Sequence, residues 1–309
     1  MLDRLKKHDI VLMKHTHLRL PGRAKKPDSS SLKSDLMPRT SAADSRKDRD
    51  GQILQEVLRS TFVSTTDLAR QFGVSTVAIR RNLAELEQAG LVKRVHGGVQ
   101  AVTRPGQVAQ YNARLFESVA AKRAIGEAAA SLILPGNTLM LDSGTTVLEV
   151  ARAIPDSLLD SGNLTVVTRS LVIAGELRRY RQVRLMVLGG IYVHELDDFV
   201  GAQVEYGLQG LHVNMCFIGT DGLSVERGIT TDNVLEAQLY RLIARVADQV
   251  MVVADSSKIG NQKLQTILPF DEINTLVTDT CAPTDFVQAL RDKGVNVVLA
   301  PAPARESCK

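Results

Sequence analysis

The stretch that most restricts the fold is Gly73-Val74-Ser75, a joint of three residues between two amphipathic runs. Upstream, Ser64-Thr-Thr-Asp67 reads as a variant of a capping box, with Ser64 accepting from the N3 backbone N–H and Asp67 reaching back. The helix it opens turns Leu68, Ala69 and Phe72 inward and stops at Gly73, where the chain passes through the left-handed region. Ser75 caps a second helix, expected over 76–88, with Val77, Ile79, Leu83 and Leu86 as its apolar positions and a stop at Gly90. Ahead of the pair, Ile53, Leu54, Val57 and Leu58 share one helical face. Behind it, residues 91–95 and 99–102 flank His96-Gly97-Gly98, two short strands around a Gly-Gly turn. Two helices on so tight a joint, followed by a hairpin, make a small winged helix-turn-helix domain over 48–104.

That geometry suits double-stranded DNA. The second helix can lead with its N-terminal turn into the major groove. Its first N–H groups and Ser75 suit a phosphate, and Thr76 and Arg80 lie opposite Ile79 and Leu83, placed to reach base edges. Asn82 is a candidate adenine reader. Arg81, Lys93 and Arg94 are candidates for phosphate contacts, and the turn glycines leave room for His96 to approach the backbone or a minor groove.

Charge is divided along the chain. Residues 1–50 carry 13 basic and 7 acidic groups, residues 51–104 carry 7 and 4, and residues 105–309 carry 18 and 23. A basic front and a mildly acidic back indicate a polyanion-binding part joined to a part with another task. Residues 1–47, rich in Lys, Arg, Ser, Pro and Asp and without a sustained period, are expected to be a disordered basic tail. Nothing approaches the ~18 apolar residues of a membrane span, nor a signal-peptide core, so a cytoplasmic protein with no membrane partner is expected. Cys216, Cys281 and Cys308 form no CxxC or Cys/His cluster, which argues against a disulfide framework or a metal site.

Past a linker over 105–119, residues 120–309 alternate helical and apolar extended segments. A helix is expected over 120–134 and strands over 138–142, 164–168, 183–188, 213–218 and 249–254. Helices fall between them over 145–153, 170–179 and 234–246, and a last strand-helix-strand covers 273–298. Near-continuous Val/Leu/Ile strands separated by helices are those of an α/β domain with a mostly parallel sheet. Ligands in such sheets sit at the carboxyl ends of the strands. Those ends carry Asp142-Ser143-Gly144-Thr145-Thr146, then Thr168-Arg169-Ser170, then Gly219-Thr220-Asp221-Gly222, and Asp255-Ser256-Ser257-Lys258, with Glu236 opening a helix. Successive N–H groups and hydroxyls at a positive helix end form a nest for an anion. Carboxylates suit sugar hydroxyls, and Lys258 adds charge. The four turns together point to a pocket for a small polyhydroxylated anion.

The spelling VSTTDLARQFGVSTVAIRRNL, the LE pair before AG, and RVHGG resemble the N-terminal domain of the DeoR-type family of bacterial transcriptional repressors. AIGEAAASLI, LDSGTT, VVTRSLVIA, VLGG, GITTDNVLEA and VADSSKIG are similar, in order and spacing, to its effector domain. The resemblance covers about residues 48–298. It implies an effector domain like ribose-5-phosphate isomerase and repression of a sugar or sugar-derivative operon, relieved by a phosphorylated metabolite. It carries the pocket motifs onto Asp142 to Thr146, Thr168, Ser170, Asp221, Glu236 and Lys258. Asn82 stands where the family usually has Asp, Arg169 where it has Asn, Arg241 where it has Lys and Asn137 where it has Asp. A guanidinium at 169 either clamps a phosphate or fills the pocket.

The expected protein is therefore a non-enzymatic repressor without cofactor or metal. It is expected to act as a homo-oligomer on an operator with repeated half-sites. Coupling is expected to run from the Ser143-Gly-Thr-Thr146 turn through the helix near Ala120 to the wing. An activator of the same architecture and a sugar-phosphate isomerase fused to a DNA reader, with Asp221, Glu236 and Lys258 as acid-base groups, are the alternatives.

Overall fold

The computed structural model describes residues 49–301 apart from 55, 58–59, 61, 103–110, 112 and 195. The expected tail over 1–47, Leu58 and most of the linker lie outside the described residues.

The small domain opens with helical residues 49–54 and 56–57. Strand β1 (Val63–Ser64), helix α1 (Thr65–Gln71), helix α2 (Thr76–Gln88) and strands β2 (Val92–Val95) and β3 (Gly98–Ala101) follow. Ser64 caps α1, its hydroxyl oxygen accepting from the Asp67 N–H at 3.0 Å and its proton going to the Asp67 carboxylate. Gly73 takes φ +63, the left-handed value expected of it. The three strands order as β1-β3-β2, antiparallel, so β1 closes a face the hairpin alone would leave open. Gly98 permits this. A Cβ there would stand 2.3 Å from the Val63 carbonyl oxygen and 2.6 Å from the Phe62 ring. Ile53, Leu54, Val57, Leu68, Ile79, Leu83, Leu86, Leu91, Val92 and Val99 fill the core. Val77, one of the apolar positions of α2, is exposed: two residues before Ile79, it lies about 200° around the helix, on the opposite side.

The large domain begins with α3 (Val119–Ala130) and contains a seven-stranded, wholly parallel sheet. Its strands are β4 (Thr138–Leu141), β5 (Thr165–Thr168), β6 (Arg184–Val187), β9 (Val213–Ile218), β12 (Ala247–Val253), β14 (Thr275–Asp279) and β15 (Asn296–Ala300). They order as β15-β14-β12-β9-β4-β5-β6, so the chain leaves β4 in one direction and returns on its other side at β9. Ligands settle at such a reversal of strand order. Helices α4 (Thr145–Ala153), α5 (Asp156–Leu159), α6 (Leu171–Leu177), α7 (Ala202–Leu208), α8 (Val234–Arg245) and α9 (Thr284–Asp292) connect them. Two apolar clusters, one around Ile125, Leu139, Leu148 and Phe217 and one around Ile218, Ile243, Val252 and Leu290, lie on the sheet. Each fully buried side chain of this kind contributes roughly 1.5–3 kcal/mol.

The expected strands and helices appear with ends shifted by a residue or two. The helix expected to reach 134 stops at Ala130, and Ser131 takes its C-cap. Two small sheets were not expected: β7 (Ile191–Val193) with β8 (Asp198–Val200), and β10 (Gly222–Ser224) with β11 (Gly228–Thr231) and β13 (Gln265–Leu268). Their strands are three or four residues long, too short for a period to register. Cys216 is a free, buried thiol, whereas Cys281 is disulfide-bonded, against the expectation of no bridge. Among the described residues no helix is long and apolar enough to cross a membrane.

Candidate functional site

Two surfaces gather the residues singled out in the sequence. On the small domain, α2 presents Val77, Arg80, Arg81 and Ala84 as an exposed stripe. The Ser75 hydroxyl oxygen accepts from the Ala78 N–H at 3.2 Å and caps the start of α2. Thr76 is half-buried beside it. Lys93, Arg94 and His96 are exposed on the hairpin. Arg94 is tied back to α2: its guanidinium lies 2.7 Å from Glu87 and its backbone N–H donates to the same carboxylate at 2.9 Å. These bonds hold the Glu87 carboxyl below the usual carboxylate range and set the wing against the helix.

Asn82 is displaced from this surface. It is fully buried, donating to Asp50 Oδ1 at 2.7 Å and accepting from Arg49 Nε at 3.2 Å. Buried in this way, it is out of reach of a base edge. The amide suits its neighbour, because a carboxylate at 82 would face the Asp50 carboxylate where Asn82 donates. Val77 takes a place that the periodicity missed: an exposed apolar group in the first turn of α2 suits a thymine methyl.

In the large domain, the carboxyl ends of β4, β9 and β12 open on a cleft. Gly144 ends the turn after β4 with φ +120, a value open to glycine and strained for other residues. No side chain caps α4, so the N–H groups of its first turn point at the cleft without an internal partner. Ser143, Gly144, Thr145 and Thr146 line the cleft there. Asp221, Glu236 and Lys258 line it from other elements, as expected. Asp221 is fixed by Arg114 at 3.0 Å and by the Thr231 hydroxyl at 2.8 Å. Burial pushes Glu236 up to about 7, which makes it a donor or acceptor for a hydroxyl near neutral pH. Burial also draws Lys122 down to about 8, with its ammonium donating to the Arg114 carbonyl at 2.5 Å.

Asp142, Thr168, Arg169 and Ser170 do not line the cleft. Arg169 is fully buried behind its wall. It lies 2.5 Å from Asp142 Oδ1, 2.6 Å from Asp198 Oδ2 and 2.9 Å from the Ser143 hydroxyl, with the Tyr240 ring 5.5 Å from its Cζ. Burial alone would lower the Arg169 pKa, but Asp142 and Asp198 outweigh it and keep the group charged. Of the two roles open to a guanidinium here, the clamp is excluded: Arg169 is already neutralised by carboxylates, so it cannot hold a phosphate. Thr168 accepts from the Ser170 N–H, and Ser170 caps α6 at Ile173, so both hydroxyls serve the strand-helix joint. Of the other departures, Arg241 donates to the Thr266 carbonyl on β13 at 2.7 Å and Asn137 accepts from the Leu134 N–H at 2.8 Å.

Gly219 and Thr220 line the cleft from the expected turn after β9, and it also takes residues that the sequence did not single out: Tyr111, Arg114, Lys122, Leu196, Thr231 and Tyr240. Lys122 had a signal. It shares a helical face with Ile125 and Ala129, and a lysine on an apolar face needs a reason. The others had none, because they come from separate parts of the chain. The cleft thus sets three cations, Arg114, Lys122 and Lys258, and an uncapped helix end against two carboxylates. Among the described residues no group of three or more His, Cys, Asp or Glu is placed to hold a metal.

A family model described as "DeoR-like helix-turn-helix domain" matches residues 49–104, and one described as "DeoR C terminal sensor domain" matches residues 117–280. Relatives include the "Putative aga operon transcriptional repressor" of Escherichia coli O157:H7, 35% identical over 254 residues, covering 82% of this chain and 93% of that protein. Another is the "Transcriptional repressor AccR" of Agrobacterium fabrum, 33% identical over 250 residues, covering 81% and 95%. Among solved structures, ribose 5-phosphate isomerase A of Methanocaldococcus jannaschii is similar at 16% identity and a TM-score of 0.33, covering 45% of this chain and 53% of that one. A likeness of that size carries no argument about function. The two domain matches and the relatives settle the family: the chain belongs to the DeoR family of DNA-binding transcriptional regulators.

Proposed function

We propose that this protein represses an operon for a sugar or sugar derivative and releases it when a phosphorylated metabolite enters the cleft. The carrying observation is the uncapped start of α4, with Gly144 in a conformation that only glycine takes readily and three cations beside it. Backbone N–H groups and the Thr145 and Thr146 hydroxyls take the phosphate, Lys122 and Lys258 balance its charge, and Asp221 and Glu236 accept sugar hydroxyls. Arg80, Thr76 and Val77 read bases. Ser75, Arg81, Lys93, Arg94 and His96 hold phosphates.

In this reading residues 48–104 bind the operator, 105–119 link and 120–309 sense. The protein works in the cytoplasm as a homo-oligomer on repeated half-sites. It performs no catalysis, since a binding-only cleft has a full role beside a DNA reader. The naming of one relative as a putative operon repressor supports control of an operon.

A thermal-shift series tests it, pairing each of a panel of sugar phosphates with its free sugar. Binding to the folded state adds about 2.7 kcal/mol at a hundredfold excess over Kd. A rise in Tm with a phosphate ester and none with its free sugar is expected. Thr145→Val with Thr146→Val should erase it and leave DNA affinity intact. Equal shifts with the free sugar would overturn the phosphate assignment.

A further inference from the structure

The helix-turn-helix match ends at residue 104 and the sensor match begins at 117, so Tyr111 and Arg114 belong to neither. Both line the cleft. Tyr111 is 2% exposed, and its hydroxyl has no hydrogen-bond partner among the described residues. Arg114 Nε is in the same condition, while its Nη1 lies 3.0 Å from Asp221. Buried donors left without acceptors are costly and rare in native proteins. Two of them facing one cleft point to a guest that brings the acceptor oxygens. Burial raises the Tyr111 pKa, so the phenol remains a neutral donor.

The same short segment touches the rest of the molecule on its other sides. Ala113 and Phe116 pack against the winged-helix core, and Leu115 packs against the sensor core. The Phe116 carbonyl abuts the leading helical residues so closely that a Cβ on Gly51 would lie 1.8 Å from its oxygen. The segment is little more than one helical turn, with Leu115 N–H donating to the Tyr111 carbonyl at 3.1 Å and Phe116 N–H to that of Ala113 at 3.0 Å. Ser118 ends it at φ +47, which is strained for a serine.

We propose that Tyr111 and Arg114 contact the effector directly, through acceptor oxygens of a sugar phosphate, and that their segment carries occupancy of the cleft to the DNA-binding domain. This rests on the phosphate-ester reading above. An ester held at the start of α4 draws the Tyr111 hydroxyl and Arg114 Nε toward it. Movement of so short a turn carries Phe116 and Ala113 with it, against the helical residues at 49–57. The route therefore reaches the winged helix through Phe116 and Gly51, not through the helix near Ala120 and the wing. An effector shifts the DNA-binding state only by its differential affinity for two arrangements, and Tyr111 supplies a bond made in one of them.

Hydrogen-exchange mass spectrometry on the full chain, with inorganic phosphate and the sugar-phosphate panel as probes, tests this. In the wild type, an ester is expected to slow exchange at 142–146 and 111–118 and to change it at 49–57. Tyr111→Phe should keep the protection at 142–146 and the response to inorganic phosphate, weaken the ester about tenfold, and lose the change at 49–57. Gly51→Ala, whose Cβ must displace Phe116, should keep the protection at 142–146 and lose the change at 49–57. If 142–146 is protected while Tyr111→Phe binds and responds as wild type, this inference falls and the phosphate reading stands. If no probe protects 142–146, the phosphate reading falls and takes this inference with it.

Discussion

On the winged helix, Arg80, Arg81 and Lys93 stand exposed on a surface of their own charge, facing outward. In the sensor, charge of both signs is folded inward: Arg169 lies between Asp142 and Asp198, and Arg114 is bonded to Asp221. The first region presents net positive charge to an outside polyanion, although Arg94 is paired with Glu87. The second is largely neutralised by its own residues and leaves to a guest an uncapped helix end, two orphan donors and two lysines. Affinity for DNA therefore rests on screened surface charge and falls steeply with salt. Affinity for the proposed effector would rest on desolvated bonds in a cleft and is expected to vary little with salt.

The largest break in this contrast comes from Arg169→Met. It leaves Asp142 and Asp198 buried without a cation, and a loss of about 3–5 kcal/mol in chemical denaturation is expected. A loss under about 1 kcal/mol would mean that the buried cluster is not held together by its charges. Gly98→Ala acts on the other domain. Its Cβ would strike the Val63 carbonyl, so a destabilisation of about 1–3 kcal/mol and weaker DNA binding are expected, with the melting shift of the sensor by phosphate esters unchanged.

Arg80→Ala should relax preference at one base pair by about 1–3 kcal/mol. Lys93→Ala should weaken all sequences alike and reduce the salt slope by about one. Binding titrations at several salt concentrations separate the two, and wild-type behaviour in both would refute the docking.

The smallest effect is on the sensor side and is read in pH. The Lys122 pKa is depressed to about 8 against an ordinary 10.5, with Arg114, Glu117, Asp255 and Lys258 the charged groups facing it. Between those values the unfolded chain binds more protons, so this group makes the unliganded fold more stable as pH rises through that window. Anion affinity has the opposite sign. It is full below pH 8 and declines above it as the ammonium is lost. Titration of Lys122→Met should show a lower affinity at neutral pH and no decline above pH 8.

Much of both regions was legible in the residues, for unequal reasons. The helix pair announced itself through Ser64, Gly73, Ser75 and Gly90, which act on their own neighbours in the chain. The parallel sheet was legible because its strands are buried on both faces and spell apolar runs. Exposed α2 residues follow from a period of 3.6, and Arg80 and Arg81 fell where it put them. Asn82 obeys the same period, three residues after Ile79 and four before Leu86 on the buried face; its polar side chain suggested a base reader, and the partner that satisfies it, Asp50, lies 32 residues earlier. Arg169 stands beside the strand end that the cleft uses, yet its guanidinium turns back to Asp198 on β8, a strand too short to be foreseen.

What the chain determines by itself is local and periodic: the caps, the tight joint, the alternation of helix and strand, and the Gly144 turn that must open a helix. These rest on interactions within a few residues, where order along the chain is order in space. Only the tertiary structure decided which polar groups meet. It turned Arg169 into part of the wall, Asn82 into part of a core, and Tyr111 and Arg114 into the far side of the cleft. Burial removes water as a partner, so each of those groups must find another in space, and its distance along the chain has no bearing on which one it finds.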